Sequence, residues 1–400
     1  MAAVPRQAKV LAFGVFLTMM GLTLVAPILP LYAREFGVSR TAAGALISSF
    51  AVARLVFDLI GGVGSDRFGG RNVLVASGVL LFLSSVGAAL APNYGILLVT
   101  RVLEGVGSAA YATSAMRTIV LVSPKGRLGR TMAFYQMGLL AGVSIGPVVG
   151  GFAAELGDYT TPFWIYAAIG IAVSLLAWWQ VPDEKPEPGA IGQTYREAGR
   201  LARRPVFLAL MFVAVAIFFM RAGTRATLFP LFAGEELDFS ESQIGLVLAL
   251  AAVLNLAVVN IGGWLVDRAG RTPILVWGLA ACAVVVGLHG YVTTFGGHLV
   301  LSMFFGVASS LMSIPPHALA GDLAPPGLEG ASVGLFRTAG DVGLVAGPLV
   351  LGGIAESGAF KEGFFVSAAL LAAAAAVSAV AFRSVDARRR AAGEVPVEVP

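Results

Sequence analysis

The feature that most constrains this 400-residue chain is a series of twelve apolar runs, each close to the length of a membrane-crossing helix. A helix needs roughly 20 apolar residues to cross about 30 Å of hydrocarbon. The runs lie near 9–33, 42–64, 72–91, 94–121, 128–153, 160–181, 206–233, 242–266, 272–293, 297–320, 330–355 and 361–382. Only 12% of residues are charged and 57% are apolar. Soluble domains carry about a quarter charged residues. That excludes a soluble enzyme, a disordered chain and a nucleic-acid binder, and leaves a chain whose solvent is the lipid bilayer. The expected fold is all-α, with the runs divided into an N-terminal six-helix bundle, 1–181, and a C-terminal one, 206–382. The charged, Pro-rich stretch 182–205 reads as a cytoplasmic linker, with an amphipathic surface helix in its second part. Residues 383–400 read as a disordered cytoplasmic tail.

The bases set an orientation. Of 27 Lys and Arg, the loops assigned outside hold Arg34, Arg40 and Lys361, six lie within spans, and the remaining 18 lie on the side of the termini. Cytoplasmic loops carry the excess of bases. The expectation is a multi-pass protein of the cell membrane with both termini cytoplasmic. This placement also accounts for the basic pI of about 9.4 without nucleic acid. No cleavable signal is evident, since the run Leu11–Tyr32 is too long for one. The single cysteine, Cys282, excludes an internal disulfide. His289, His298 and His317 are too scattered along the chain for a metal site, so neither a metal nor a cofactor is expected.

The two halves repeat. Gly62-Val-Gly-Ser-Asp66-Arg67-Phe-Gly69 returns as Gly263-Trp-Leu-Val-Asp267-Arg268-Ala-Gly270, an offset of 201. Gly142-x-x-x-Gly146-Pro147 returns as Gly343-x-x-x-Gly347-Pro348, and Gly105 as Gly306, at the same offset. Six spans bring the chain back to the same side, so the repeats are parallel. Parallel halves place a substrate near the midplane between them.

With these motifs the chain resembles the major facilitator superfamily over essentially its whole length. The Gly-x-x-x-Asp-Arg-x-Gly signature, Arg101-x-x-Glu104-Gly105-x-Gly107 in span 4, and Gly142-x-x-x-Gly146-Pro147-x-x-Gly150-Gly151 in span 5 together resemble its 12-span drug:proton antiporter branch. Two bases usual in the family are missing, at Gly70 and Thr272, which leaves a less basic loop. The resemblance implies two pseudo-symmetric six-helix bundles and a central cavity lined by spans 1, 4, 7 and 10. It implies a gate made of Gly62, Asp66, Arg67, Gly69 and Arg71, with Asp267 and Arg268 in the second copy. The alternative for that motif is a polar turn whose bases only set topology. The span-5 glycines and Pro147 offer a closely approachable face with a bend. That face serves as a hinge or seal, or as tight packing alone.

Charges inside spans are expensive, roughly 2.5–3.5 kcal/mol each on insertion scales, and so pair or line a cavity. Arg54 and Asp58, Arg337 and Asp341 are four apart, and Arg101 and Glu104 are three apart, so each pair shares a helix face. A carboxyl that gains and loses its arginine would load and release a proton. Glu104 is the first candidate, Asp341 the second and Asp58 the third, with Arg101, Arg337 and Arg54 as charge partners. Static interhelical locks are the alternative, preferred for Asp58. Arg117, Arg221, Arg225, Gln136 and Asn255 are candidates for the substrate cavity. Arg221 and Arg225 lie on one face of span 7 with no acid on that span, which points to an anion or to partners on other spans.

No catalytic residue and no ATP-binding motif is found. The expected function is secondary transport by alternating access, as proton-coupled efflux of small amphipathic molecules or drugs, by a monomer whose energy source is the proton gradient. A carrier of organic anions, sugars or metabolites is the alternative, and a channel or non-transporting sensor the more distant one.

Overall fold

The structure is a computed structural model that describes residues 6–122, 128–182, 201–323 and 329–383, without the side chains of 58–68, 117, 120–121, 128–133, 260, 267, 329–331 and 333. Asp58, Gly62, Asp66, Arg67, Arg117 and Asp267, the expected linker from 183 to 200 and the expected tail from 384 onward therefore lie outside what is described. Among the described residues all regular structure is helical, and twelve helices are long and apolar enough to cross a membrane.

The first span is interrupted. Helix α1 (Arg6–Val25) stops before Ala26-Pro27-Ile28, and the short α2 (Leu29–Glu35) resumes with Pro30 in its first turn. Proline has no N–H for the helical ladder but suits a helix's first turn. Next come α3 (Arg40–Phe68), α4 (Gly70–Ala89), α5 (Tyr94–Val122), α6 (Leu128–Leu156) and α7 (Thr161–Gln180). The second half holds α8 (Pro205–Phe219), a π-helical segment (Met220–Leu228), α9 (Phe229–Glu235), α10 (Glu241–Ala269), α11 (Arg271–His289), α12 (Phe295–Asp322), α13 (Glu329–Glu356) and α14 (Phe360–Ala381). Gly69 at φ 84° and Gly270 at φ 93° let α3 turn straight into α4 and α10 into α11. Only glycine takes that conformation without strain.

The chain forms two compact units. Unit 1 holds the described residues before 183 together with Ala233–Ala249; unit 2 holds those from 201 to 232 and from 250 onward. In unit 1, α1 packs on α6 and α7, α3 on α5, and α4 on α5 and α7. In unit 2, α8 packs on α13 and α14, and α11 on α12 and α14. The pairing scheme repeats, and so does its register. A Cβ on Gly105 would stand 2.5 Å from the Phe50 carbonyl oxygen and 2.8 Å from Ala53 Cβ. A Cβ on Gly306 would meet the Ala251 oxygen at 2.6 Å and Leu254 Cβ at 2.7 Å. All three positions keep the offset of 201. In membranes such contacts replace hydrophobic drive between helices, because lipid is as apolar as the side chains.

The segment Ala233–Ala249 is fastened to the rest of unit 1 by polar groups. Glu235 accepts Arg34 Nε at 3.0 Å and Arg40 Nη2 at 2.6 Å. Tyr159 donates to Glu241 at 2.9 Å, and the Ser242 N–H donates to Glu155 at 3.1 Å. Burial, with Glu241 beside it, raises the Tyr159 phenol above its usual range, so it remains a donor at all physiological pH.

Candidate functional site

In unit 1, α5 carries Arg101 and Glu104 one turn apart, and they form an ion pair from Arg101 Nη1 to Glu104 Oε2. Arg101 is 3% exposed and Glu104 1%. Phe50, from α3, lies 5.3 Å from the guanidinium carbon. Tyr166, from α7, is fully buried beside Glu104, and its ring packs against Gly21 of α1, where a Cβ would collide with it. The second carboxylate oxygen, Oε1, stands beside the Tyr166 hydroxyl, but neither atom makes a hydrogen bond of good geometry, with the other or with any other described residue. A buried ion pair repays its desolvation only when the remaining polar atoms are also satisfied. Here half of the carboxylate is not.

In unit 2, the charged site lies on the π-helical segment. Arg221 is exposed and donates from Nη2 to Ser313 Oγ at 2.7 Å, with Phe218 5.4 Å from its guanidinium carbon. The Arg225 guanidinium lies 4.4 Å over Phe305. Asn255 donates to Ser309 at 2.8 Å, and His317 Nδ1 is 2.9 Å from the Ser313 carbonyl. The π winding follows from what surrounds it. Gly223 meets the Gly347 backbone so closely that a Cβ would stand 2.7 Å from it. Thr227 donates to the Ala222 carbonyl five residues back, and Thr224 is tied to Ser367 at 2.6 Å.

Other expected residues fall as follows. Asp341 is buried and Arg337 half-buried, both on α13; Arg54 is half-buried on α3; Gln136 is exposed on α6. Arg71 lies over Trp178 at 5.0 Å and Arg268 over Trp264 at 4.9 Å, so each base is anchored on an aromatic face. Gly142, Gly146 and Gly150 face the α1 backbone around Phe16, Met20 and Leu24, and Gly151 faces Glu241. Pro147 lies inside α6, and its carbonyl meets Gly245.

Three features escape a reading of the sequence. His289 and His298 are not scattered: their Nδ1 atoms are 3.0 Å apart, the rings stack, and both are buried. The connection between α11 and α12 folds back and brings them together. Among the described residues no third ligand joins them. The second feature is the grip of Arg34 and Arg40 on Glu235. A signal for it exists in Pro30-Leu-Tyr-Ala-Arg-Glu35 and Pro230-Leu-Phe-Ala-Gly-Glu235, a further repeat that aligns the two span ends. The third is the π winding itself.

The sequence profile of the Major Facilitator Superfamily matches residues 11–232 and, again, 210–398. The chain belongs to the major facilitator superfamily. This superfamily member is 26% identical over 363 residues to the uncharacterized MFS-type transporter MJ1560 of Methanocaldococcus jannaschii, covering 89% of this chain and 93% of that one. It is 23% identical over 357 residues to the quinolone resistance protein NorA of Staphylococcus aureus, covering 87% and 90%. Among solved structures, an inward-facing, unoccupied bacterial homolog of the human lysosomal transporter Spinster superposes with a TM-score of 0.77 at 16% identity, covering 96% of this chain and 98% of that one. The protein is therefore a multi-pass membrane transporter of this superfamily, with the twelve-span, two-bundle fold.

Proposed function

We propose that this transporter exports small amphipathic molecules, drugs among them, from the cell in exchange for protons, with both termini in the cytoplasm. The observation that carries the coupling is the half-satisfied Glu104 carboxylate, buried against Arg101. Apolar surroundings favour the neutral acid and an adjacent guanidinium favours the anion. A small change in the Arg101–Glu104 distance then decides which form persists, so helix movement and proton occupancy are linked. Likeness to NorA over most of both chains supports drug efflux. One charge moving through 100 mV supplies roughly 2.3 kcal/mol, which sustains a gradient of about fortyfold per proton. Transport needs no cofactor, nucleotide or catalytic residue in this scheme.

Alternating access requires a latch that can open. The Arg34 and Arg40 grip on Glu235 ties the Ala233–Ala249 segment to the span ends of unit 1. We assign it the role of that latch. The test is substrate-evoked proton movement in proteoliposomes with an interior pH dye, comparing the native protein with Glu104→Gln. Proton flux lost in the variant, with counterflow of labelled substrate retained, is the expected result. Unchanged proton flux in Glu104→Gln would remove this carboxyl from the coupling.

A further inference from the structure

We propose that unit 2 carries a binding site for the anionic head of an amphipathic organic acid, built from Arg221 and Arg225 with Ser313 beside them. This rests on the transporter reading and narrows its substrate class.

Four observations lead there. Arg221 sits near the middle of the 31-residue span Pro205–Glu235, yet it is exposed. An arginine at that depth faces water or a binding cavity rather than hydrocarbon. The face it touches bears this out. On α12 the outward stripe is Val300, Met303, Phe304 and Val307, with Phe304 63% exposed. Ser313 lies about 180° around the helix from Phe304, and Ser309 and His317 flank it on the same side. The side of α12 that Arg221 meets is thus opposite the lipid stripe and lined with polar groups.

The second observation concerns donors. A guanidinium has five N–H groups in a planar fork suited to a carboxylate or phosphate. Among the described residues, Ser313 Oγ is the hydrogen-bond partner of Arg221. Most of the fork is therefore available. The third is charge. The span Pro205–Ala233 contains no Asp or Glu, α11 contains none, and α12 has only Asp322, at its far end; α13, which packs on the π segment, carries Asp341 four residues from Arg337 on its own helix, with Glu329 and Glu356 at its ends. The fourth is the π winding. Such segments are rare and concentrate at functional sites. Its wider turn places Arg221 and Arg225, four residues apart, on one side of the helix. Phe218 and Phe305, stacked with the two guanidinium groups, supply an apolar wall for the body of the ligand.

The experiment uses the full chain in detergent and two fluorescent probes with one body, dansylglycine and dansylglycine amide. They differ in the carboxylate alone. Binding is read by fluorescence polarisation. The expected result is tighter binding of the acid by about tenfold or more, as a charge-assisted hydrogen bond gives. Arg221→Gln and Arg225→Gln should each bring the acid to the affinity of the amide, with the amide unchanged. Arg221→Lys should restore part of the preference. Equal affinity of the native protein for acid and amide overturns the proposal without any variant. So does a preference that survives in the double variant. Proton flux in proteoliposomes separates this site from the coupling. Acid preference without proton flux keeps the anion site and removes proton exchange. Flux evoked equally by acid and amide removes the anion site and keeps the exchange.

Discussion

Unit 1 and unit 2 share a scaffold down to the register of single backbone contacts, but they treat buried charge in opposite ways. In unit 1, Arg101 is neutralised by Glu104 on the same helix and both are sealed from solvent. At the offset of 201, the matching residues on α12 are Ser302 and Phe305. Where unit 1 has the acid, unit 2 has an aromatic ring, and Arg225 from the π segment stacks on it. The helix contacts that make the bundle survive duplication because a Cβ at Gly105 or Gly306 has nowhere to go. The polar residues are free to diverge, and they do so into a balanced site and a basic one. A balanced, dry pair is suited to holding or losing a proton. A basic pair with one exposed and one half-buried guanidinium is suited to holding an anion.

The largest expected effect follows from breaking the balance. Removing one partner of a buried ion pair leaves the other charge uncompensated, at about 3–5 kcal/mol. Arg101→Met should lower thermal stability in detergent by that order. Arg101→Met combined with Glu104→Gln should recover most of it, because no buried charge remains. Arg221→Met, which removes one hydrogen bond to the neutral Ser313 and breaks no ion pair with an acid, should cost about 0.5–1.5 kcal/mol. Equal losses for Arg101→Met and Arg221→Met would erase the distinction between the two sites.

The second comparison should come out equal. Gly105→Val and Gly306→Val drive a side chain into carbonyl oxygens at the same register, and overpacking costs about 1–3 kcal/mol or more. Matching losses in melting temperature would support the repeat as one structural unit used twice. A tolerant Gly306 beside an intolerant Gly105 would show that the second copy has drifted.

Most of this fold is legible in the sequence. Hydropathy places the spans within a few residues because the bilayer sets their length. The repeat is legible because close helix contact admits only glycine, and the Arg101–Glu104 pair because three residues make one turn. The His289–His298 contact is not, since it depends on how an irregular connection closes. Nor is the π segment: it arises from Gly223 meeting Gly347, 124 residues away, and nothing local in Met220–Leu228 dictates it. The Glu235 grip depends on which unit a span end joins, a tertiary choice that periodicity does not encode.

The latch ranks next in size. Glu235→Gln removes the charge that holds Arg34 and Arg40, and partly exposed pairs contribute about 0.2–1 kcal/mol. Stability should change little, while the Ala233–Ala249 segment loosens. A cysteine introduced at Glu236, with Cys282 replaced, should react faster with a membrane-impermeant maleimide in the Glu235→Gln background. Labelling at the native rate would leave Glu235 as a surface contact without a latch role.

The smallest effect distinguishes how the two units start their last spans. Two residues before the N-cap of α7, Asp158 accepts the N–H groups of Thr160 at 2.8 Å and Thr161 at 3.0 Å. In unit 2 the chain turns instead at Gly358, with φ 75°. Hydrogen bonds from Thr160, its hydroxyl first, hold the Asp158 carboxyl below its ordinary range. A depressed folded-state pKa gives stability that is present above the unfolded value near 4 and lost as pH falls through the folded one. Asp158→Asn should therefore melt slightly below the native protein at pH 7, and the gap should close as pH falls through the lowered pKa of Asp158. Gly358→Ala should lower the melting point by an amount that does not vary with pH, because its penalty is backbone strain of about 1–2 kcal/mol. A pH-independent gap for Asp158→Asn would mean that this turn acts through shape alone and not through its charge.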